Sequence, residues 1–108
     1  MPRKTLGITT VQVLHAVAVG TRYGFDIMDR TGLPSGTVYP ALSRLERQGL
    51  LRAKWEAHLI ARREKRPPRK YYQITPEGKK RLLDAAEKIR AVERTLPRDA
   101  AALDGLPG

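Results

Sequence analysis

Apolar side chains recur every three or four residues in several stretches of the chain, which is the spacing of one helix face. The first stretch, residues 11–19, follows Thr9 and Thr10, and either hydroxyl can cap a helix. A second short helix is predicted for residues 23–30, with Gly32 as its stop. The tight loop after Gly32 suits the corner of a helix-turn-helix.

A third helix is predicted to begin within residues 35–37 and to end before Gly49, which suits a C-cap. Its start follows from Pro40, because proline has no N–H to donate and is tolerated only in a first turn. The apolar stripe of this helix consists of Val38, Leu42 and Leu45. Off that stripe lie Thr37, Ser43, Arg44 and Arg47. One face of the helix is therefore expected to pack into the core, and the other is free to contact a partner.

Residues 51–60 and 71–75 are predicted as strands, although the alternation in the first is imperfect. Between them lies the basic run 62–70, in which two adjacent prolines mark the loop tip. Amphipathic helix, strand, basic loop and strand follow one another in the order of a winged helix-turn-helix. We therefore predict a mainly α fold with a small β-hairpin wing.

The last helix is predicted to begin after Thr75, a natural N-cap, with Pro76 in its first position, and to run to about residue 95. Its apolar stripe has no obvious partner in so small a core, so we expect a two-fold dimer with the first helix beside it. The predicted interface comprises Val11, Leu14, Ala18, Leu82, Leu83, Ala86, Ile89 and Val92. The expected organisation is a winged helix-turn-helix domain over residues 1–75, a dimerisation helix over 76–96 and a disordered tail over 97–108.

The charge balance indicates an anionic partner. The 108 residues carry 21 Lys and Arg against 11 Asp and Glu, a formal net charge of +10. Six of the 21 basic residues fall within residues 62–70. Nucleic acid is the first expectation and an anionic membrane surface the second. The membrane is the weaker of the two, because the last helix mixes acidic residues with its lysines.

Several classes of protein are disfavoured by what the sequence does not contain. No apolar run approaches the roughly 20 residues that cross a bilayer, and the first residues do not read as a signal peptide, so a cytoplasmic location is expected. The chain has no cysteine, and His15 and His58 belong to no ligand pattern, so no metal or other cofactor is expected. Neither a nucleophile elbow nor a glycine-rich phosphate loop is present, and we expect no enzyme.

Three segments also resemble a known family. Residues 23–28 (Tyr-Gly-Phe-Asp-Ile-Met), 35–46 (Ser-Gly-Thr-Val-Tyr-Pro-Ala-Leu-Ser-Arg-Leu-Glu) and 69–78 (Arg-Lys-Tyr-Tyr-Gln-Ile-Thr-Pro-Glu-Gly) closely resemble the PadR family of bacterial transcriptional regulators. The similarity extends over about residues 14–83. It implies a dimeric DNA-binding repressor of the small subgroup that has one C-terminal helix.

The predicted DNA contacts divide by residue type. Small and hydroxylated residues at the start of the third helix suit phosphate, and Arg44 is long enough to reach a guanine edge, with Thr37 and Ser43 beside it. The full predicted set is Tyr23, Ser35, Gly36, Thr37, Tyr39, Pro40, Ser43, Arg44, Arg62, Arg63, Lys65, Arg66, Arg69 and Lys70. A two-fold dimer would bind an inverted-repeat operator in duplex DNA.

Trp55, the single tryptophan, has two interpretations. The family resemblance implies a flat aromatic effector held between aromatic side chains at the dimer interface. The favoured alternative is a strand tryptophan that packs against the first or last helix.

Two other functions remain open for the whole chain. A basic RNA-binding or ribosome-associated protein would need stacking aromatics on an exposed sheet, whereas the aromatics here are scattered. A winged-helix protein–protein adaptor would not need a basic wing.

Overall fold

The computed structural model describes residues 5–105 and 107. Within that part of the chain the elements are α1 (Ile8–Ala18), α2 (Gly24–Thr31), α3 (Ser35–Arg47), β1 (Leu51–Trp55), α4 (His58–Arg63), β2 (Lys70–Ile74), α5 (Pro76–Glu93) and a 3₁₀ turn (Ala100–Leu103). The fold is mainly helical with a two-stranded antiparallel hairpin, as predicted. None of the described helices has the length and hydropathy needed to cross a lipid bilayer.

The core forms where α1, α2 and α3 pack together beneath the hairpin. Leu14, Ile27 and Leu42 are fully buried there, and each buried aliphatic side chain contributes about 1.5–3 kcal/mol relative to its exposed state. Helix α1 begins at Ile8 with Gly7 as its N-cap, earlier than predicted, and no side chain caps it. Thr9 and Thr10, the two predicted caps, instead lie inside the first turn of α1, and the Thr10 hydroxyl accepts a hydrogen bond from Arg44.

The corner between α2 and α3 forms as predicted. Gly32 ends α2 with a φ of 73°, a left-handed conformation that glycine adopts without strain, and its N–H donates to Met28. Helix α3 then begins at Ser35, inside the predicted window. Pro40 nevertheless lies in the second turn rather than the first. The helix tolerates it because Pro40 and Gly36, whose carbonyl lacks its usual helical partner, are both exposed to water.

The hairpin differs from the prediction in its first strand. β1 ends at Trp55, in register with Lys70 of β2, and residues 58–63, partly predicted as strand, form helix α4. The chain leaves the sheet at Glu56, whose N–H donates to the Arg69 carbonyl at 2.8 Å. The next turn is helical and buries Ala61, the one α4 side chain that is withdrawn from water. The connection between the strands, residues 56–69, is called the wing below.

Helix α5 is joined firmly to the end of α3, and its start is as predicted. The Thr75 hydroxyl accepts the Gly78 N–H at 3.0 Å and donates to the Gly49 carbonyl at 2.7 Å. Gly78 must lack a side chain, because a methyl group there would overlap the Leu50 carbonyl oxygen. Beyond α5, the one regular element within the described residues is the exposed 3₁₀ turn. Residues 1–4 of the predicted DNA-binding domain, and residues 106 and 108 of the predicted tail, lie outside the described residues.

A buried carboxylate holds the wing to the helical core. Arg66 donates to both oxygens of Glu56, with 3.1 Å between Nη2 and Oε2, and the Tyr23 hydroxyl donates to Oε2 at 3.3 Å. The Arg69 guanidinium lies 3.9 Å from the same oxygen. Hydrogen bonding from Arg66 is the main reason that the pKa of Glu56 falls from 4.5 to about 2. This Glu56 hub joins α2, β1 and the returning end of the wing.

The hub predicts a specific pH dependence of stability. Because the native pKa of Glu56 is below the unfolded value, its contribution is complete above pH 4.5 and is lost as pH falls toward about 2. We expect wild type to lose more unfolding free energy across this window than Glu56→Gln, measured by urea denaturation at each pH. The control, Glu87→Gln on the exposed surface of α5, should follow wild type. Parallel curves for wild type and Glu56→Gln would contradict the hub.

Candidate nucleic-acid interface

Helix α3 has one buried face and one open face. Val38, Ala41, Leu42 and Leu45 are buried in the core. The opposite side consists of exposed residues at three- and four-residue spacing, namely Gly36, Pro40, Ser43 and Arg47. Ser35 is also exposed, and Thr37 is half-buried at the edge of this face. The open face is thus narrow, and Arg47 is the one long side chain on it. Its small residues would let the helix backbone approach a DNA groove closely.

The two arginines of this helix have different surroundings. Arg44 was predicted to reach a base, but its Nη2 donates to the Thr10 hydroxyl on α1 at 3.2 Å. Arg47, which sequence reasoning left out of the binding set, is the last residue of α3 and is exposed on the side opposite the buried face. Arg44 is exposed but lies beside the buried face rather than opposite it, because Ala41, three residues earlier, belongs to the core.

Two of the predicted tyrosines support the helix-turn-helix from within. The Tyr39 ring lies against Gly24 so closely that a methyl group there would overlap it, yet Tyr39 remains 46% exposed. Tyr23 is half-buried, and its hydroxyl is already used by Glu56. Tyr39 therefore has exposed surface that a partner could contact, whereas the hydroxyl of Tyr23 is engaged in the hub.

The six basic residues of the predicted wing form two groups. Arg62, Arg63 and Lys65 are exposed on or just after α4. The other three make internal contacts. Arg66 binds Glu56, Arg69 lies 4.1 Å above the Tyr23 ring, and Lys70 lies 3.4 Å from Glu46. The first group is free to meet an anion, and the second group sets the position of the wing.

An aromatic cleft lies between the hairpin and helices α2 and α3. Its volume is about 330 Å³, and its walls include Tyr23, Phe25, Tyr39, Trp55, Arg69 and Lys70. We call it the wing cleft. Trp55 is 68% exposed here and does not pack against the first or last helix as the favoured interpretation predicted. Phe25, read from the sequence only as an apolar helix position, is 67% exposed and was missed as a candidate.

A second hollow lies between the start of α1 and helix α5. Its volume is about 410 Å³, and it is lined by Thr5, Leu6, Ile8, Ala85, Lys88, Ile89, Val92, Glu93 and Leu96. We call it the α1–α5 hollow. Ile8, Val92 and Leu96 are each more than half exposed, and neither Ile8 nor Leu96 was in the predicted interface.

The remaining residues of the predicted interface are scattered. Leu14 is 0% exposed and Val11 is 8% exposed, so both are core residues with almost no surface for a partner. Leu83 is 70% exposed and Ala18 is also exposed, while Leu82 and Ala86 are half-buried. Within the predicted interface, the apolar surface that is left for a partner therefore belongs mainly to α5.

Solved structures share this fold. A PadR family transcription regulator from Clostridium difficile R20291 is 24% identical, with 82% of this chain and 94% of that chain covered at a TM-score of 0.70. A PadR-like regulator from Bacillus cereus is 23% identical, with 93% and 95% covered at 0.69. BpsR from Bordetella bronchiseptica, whose DNA binding is regulated by 6-hydroxynicotinic acid, is 18% identical, with 99% and 72% covered at 0.68.

The sequence comparison identifies the family. No curated protein matches the chain. Residues 13–84, which include α2, α3, both strands and the wing, match the transcriptional regulator PadR-like family. The chain therefore belongs to the PadR-like family of transcriptional regulators.

Proposed function

We propose that the chain is a dimeric, sequence-specific DNA-binding repressor that reads duplex DNA with α3 and grips the phosphate backbone with its wing. One observation carries this proposal: the open face of α3 and the exposed cations of the wing belong to one folded unit. In it, the Glu56 hub joins the wing to the start of α2, and the Lys70–Glu46 ion pair joins β2 to α3. A net charge of +10 supplies the attraction to a polyanion. The repressor role follows the family resemblance, and the proposed location is the cytoplasm.

Within this proposal, each element has a separate task. Gly36 and Ser35 at the start of α3 let the backbone approach phosphate, and Tyr39 lies beside them. Ser43 and Arg47 take the base edges, with Thr37 at the margin. Arg44 braces α3 against α1 through Thr10 instead of reading a base. Arg62, Arg63 and Lys65 bind phosphate or enter the minor groove.

The proposed dimer uses the α1–α5 hollow. Exposed aliphatic side chains around it, including Ile8 and Val92, would be covered by the same surface of a second copy. A small domain gains stability from such association. Two α3 helices related by two-fold symmetry would then bind an inverted repeat with half-sites about one helical turn apart.

A small aromatic effector is the last part of the proposal. The fold comparison with BpsR, whose DNA binding is regulated by 6-hydroxynicotinic acid, supports it. The family resemblance implied such an effector beside Trp55 at the dimer interface, although a packed strand tryptophan was the favoured interpretation. However, Trp55 lines the wing cleft, whereas the proposed dimer contacts line the α1–α5 hollow.

Salt dependence tests the role of the wing. Replacing Arg62 and Arg63 by Ala should make the slope of log affinity against log salt shallower by about 0.9 for each phosphate that the wing no longer neutralises. The matched control removes the same charge at Lys79 and Lys80 on α5, and its slope should stay close to wild type. Both are measured by fluorescence anisotropy on labelled duplex DNA. Equal slopes for the two double variants would contradict a wing that binds phosphate, as would tighter binding to single-stranded RNA.

The proposed roles of Arg47 and Arg44 are tested with two DNA duplexes of equal length, an operator selected from genomic DNA and a random sequence. Arg47→Ala should weaken operator binding by about 1–3 kcal/mol and random DNA by less, because alanine cannot hydrogen-bond a base edge. Arg44→Ala should instead lower the unfolding free energy and change the ratio of the two affinities little. If Arg44→Ala abolishes discrimination while its stability is unchanged, Arg44 reads a base as the sequence predicted.

Dimerisation is tested at Val92, which is exposed in the single chain, so that the substitution spares the core. Val92→Glu should place two carboxylates in the proposed interface and yield a folded monomer by sedimentation at micromolar concentration. Ala91→Glu, an exposed position on the same helix that does not line the hollow, should remain dimeric. A monomeric wild type, or a Val92→Glu variant that is still dimeric, would overturn this interface.

A further inference from the structure

Helix α4 of the wing carries two large aliphatic side chains on the outside of the protein. Leu59 is 62% exposed and Ile60 is 49% exposed, whereas Ala61 beside them is buried. Isolated exposed aliphatic side chains are ordinary in proteins. What these two can do therefore depends on how they are held and on which charges surround them.

The helix that carries them is closed and anchored at its C-terminal end. The Lys65 N–H donates to the Arg62 carbonyl at 3.1 Å, and the Arg66 N–H donates to the carbonyl of Ala61 at 3.1 Å. These two bonds form a Schellman motif, in which Lys65, with a φ of 55°, occupies the left-handed position that glycine usually takes. Arg66 also binds Glu56, and Ala61 is buried. The wing thus presents its aliphatic side chains on a fixed helix, so little ordering is left to be done on binding.

The charges around the two side chains differ. Residues three and four positions apart are neighbours on a helix, so Leu59 lies beside Arg62 and Arg63, both of which are exposed. By the same spacing, Ile60 lies beside Arg63 and Glu64. Leu59 is therefore the more exposed of the two and has a cation at each neighbouring position. An apolar side chain beside two guanidinium groups complements duplex DNA, in which stacked bases lie between two rows of phosphates.

We propose that Leu59 is a wedge that enters a base step from the DNA minor groove and kinks the duplex. Arg62 and Arg63 hold the phosphates that border the same groove. This inference rests on the proposed function, because it needs the wing to lie on duplex DNA. Its consequence is a preference for a base step that unstacks easily. The wing then selects sequence through the deformability of the DNA rather than through hydrogen bonds to bases.

The size of the apolar surface favours DNA over other occupants. A specific interface between proteins buries about 1,000 Å² or more, and a helix that lies on a membrane presents a continuous apolar face to the lipid. Helix α4 has only six residues and two large exposed aliphatic side chains, which is too little for either partner. A single aliphatic side chain is, however, enough to separate two stacked base pairs.

Base unstacking tests the wedge directly. The fluorescent analogue 2-aminopurine, which brightens when it is unstacked, replaces each adenine in turn in an operator selected from genomic DNA. Wild type should raise the fluorescence at one step in each half-site, and Leu59→Gln should not, because an amide between base pairs would lack hydrogen-bond partners. Leu59→Met keeps an apolar wedge and should keep the rise. The matched control is Leu103→Gln, at an exposed leucine outside the wing, and it should behave as wild type.

A matched change in the DNA separates deformability from hydrogen bonding. A·T and T·A pairs present the same acceptors in the minor groove, so TA and AA at the unstacked step differ chiefly in how easily they kink. Wild type should bind the TA duplex about tenfold more tightly than the AA duplex, measured by fluorescence anisotropy. Leu59→Gln should bind the two duplexes almost equally. A wild type that does not distinguish them would overturn selection by deformability.

The outcomes distinguish this inference from the proposed function. Duplex DNA that is bound without unstacking at any adenine, or unstacking that persists in Leu59→Gln, overturns the wedge and leaves the proposed function standing. A chain that binds no duplex DNA overturns both.

Two further results would assign Leu59 to another partner and overturn the wedge. One is a Leu59→Gln variant that sediments as a monomer while Val92→Glu stays dimeric, which would place Leu59 between two copies of the chain. The other is binding to phosphatidylserine vesicles that is lost in Leu59→Gln and kept in Leu103→Gln, which would place it on a membrane.

Discussion

The carboxylate of Glu56 is the contact on which the shape of the proposed DNA-binding surface depends. The side chain is buried at the point where β1 ends, and it accepts hydrogen bonds from Arg66 across the wing and from Tyr23 at the start of α2. A two-stranded hairpin on its own is marginal in water, so a wing of this length needs such an anchor. The anchor also divides the basic residues of the wing into two groups. Arg66 and Arg69 lie against Glu56, whereas Arg62 and Arg63 stay exposed.

The orientation of α3 is fixed from both of its ends. Gly32 and Thr31 set the corner before it, where the Thr31 hydroxyl donates to the Ile27 carbonyl at 2.7 Å. At the other end, the Thr75 hydroxyl contacts the carbonyls of Gly49 and Leu50, so that α5 is tied to the segment that follows α3. The same helix α5 carries the proposed dimer contacts. In the proposed dimer, the distance between the two α3 helices would therefore depend on this short hydrogen-bonded junction.

Local signals were enough to predict the elements that depend on neighbouring residues. Gly32 ends α2 and Thr75 caps α5 as the sequence indicated, because a left-handed glycine and a capping hydroxyl act within a few residues. Helix α4 was not predicted because the path of the chain after β1 depends on the ion pair between Glu56 and Arg66. These residues are ten positions apart, and the spacing of apolar residues carries no information about such a contact. The exposure of Trp55 could not be predicted either. The spacing of apolar residues shows which side chains could be buried, but not which of them find a place in the core.

Hydroxyl-radical footprinting of the operator with wild type and Glu56→Gln tests the central claim most directly, namely that the hub holds the wing in position beside helix α3, which we propose reads the DNA. Glu56→Gln must first be shown to keep its helical content by circular dichroism. The account predicts that the variant no longer protects the minor-groove sugars next to the wing, while the protection flanking α3 remains. Identical footprints for the two folded proteins would contradict it.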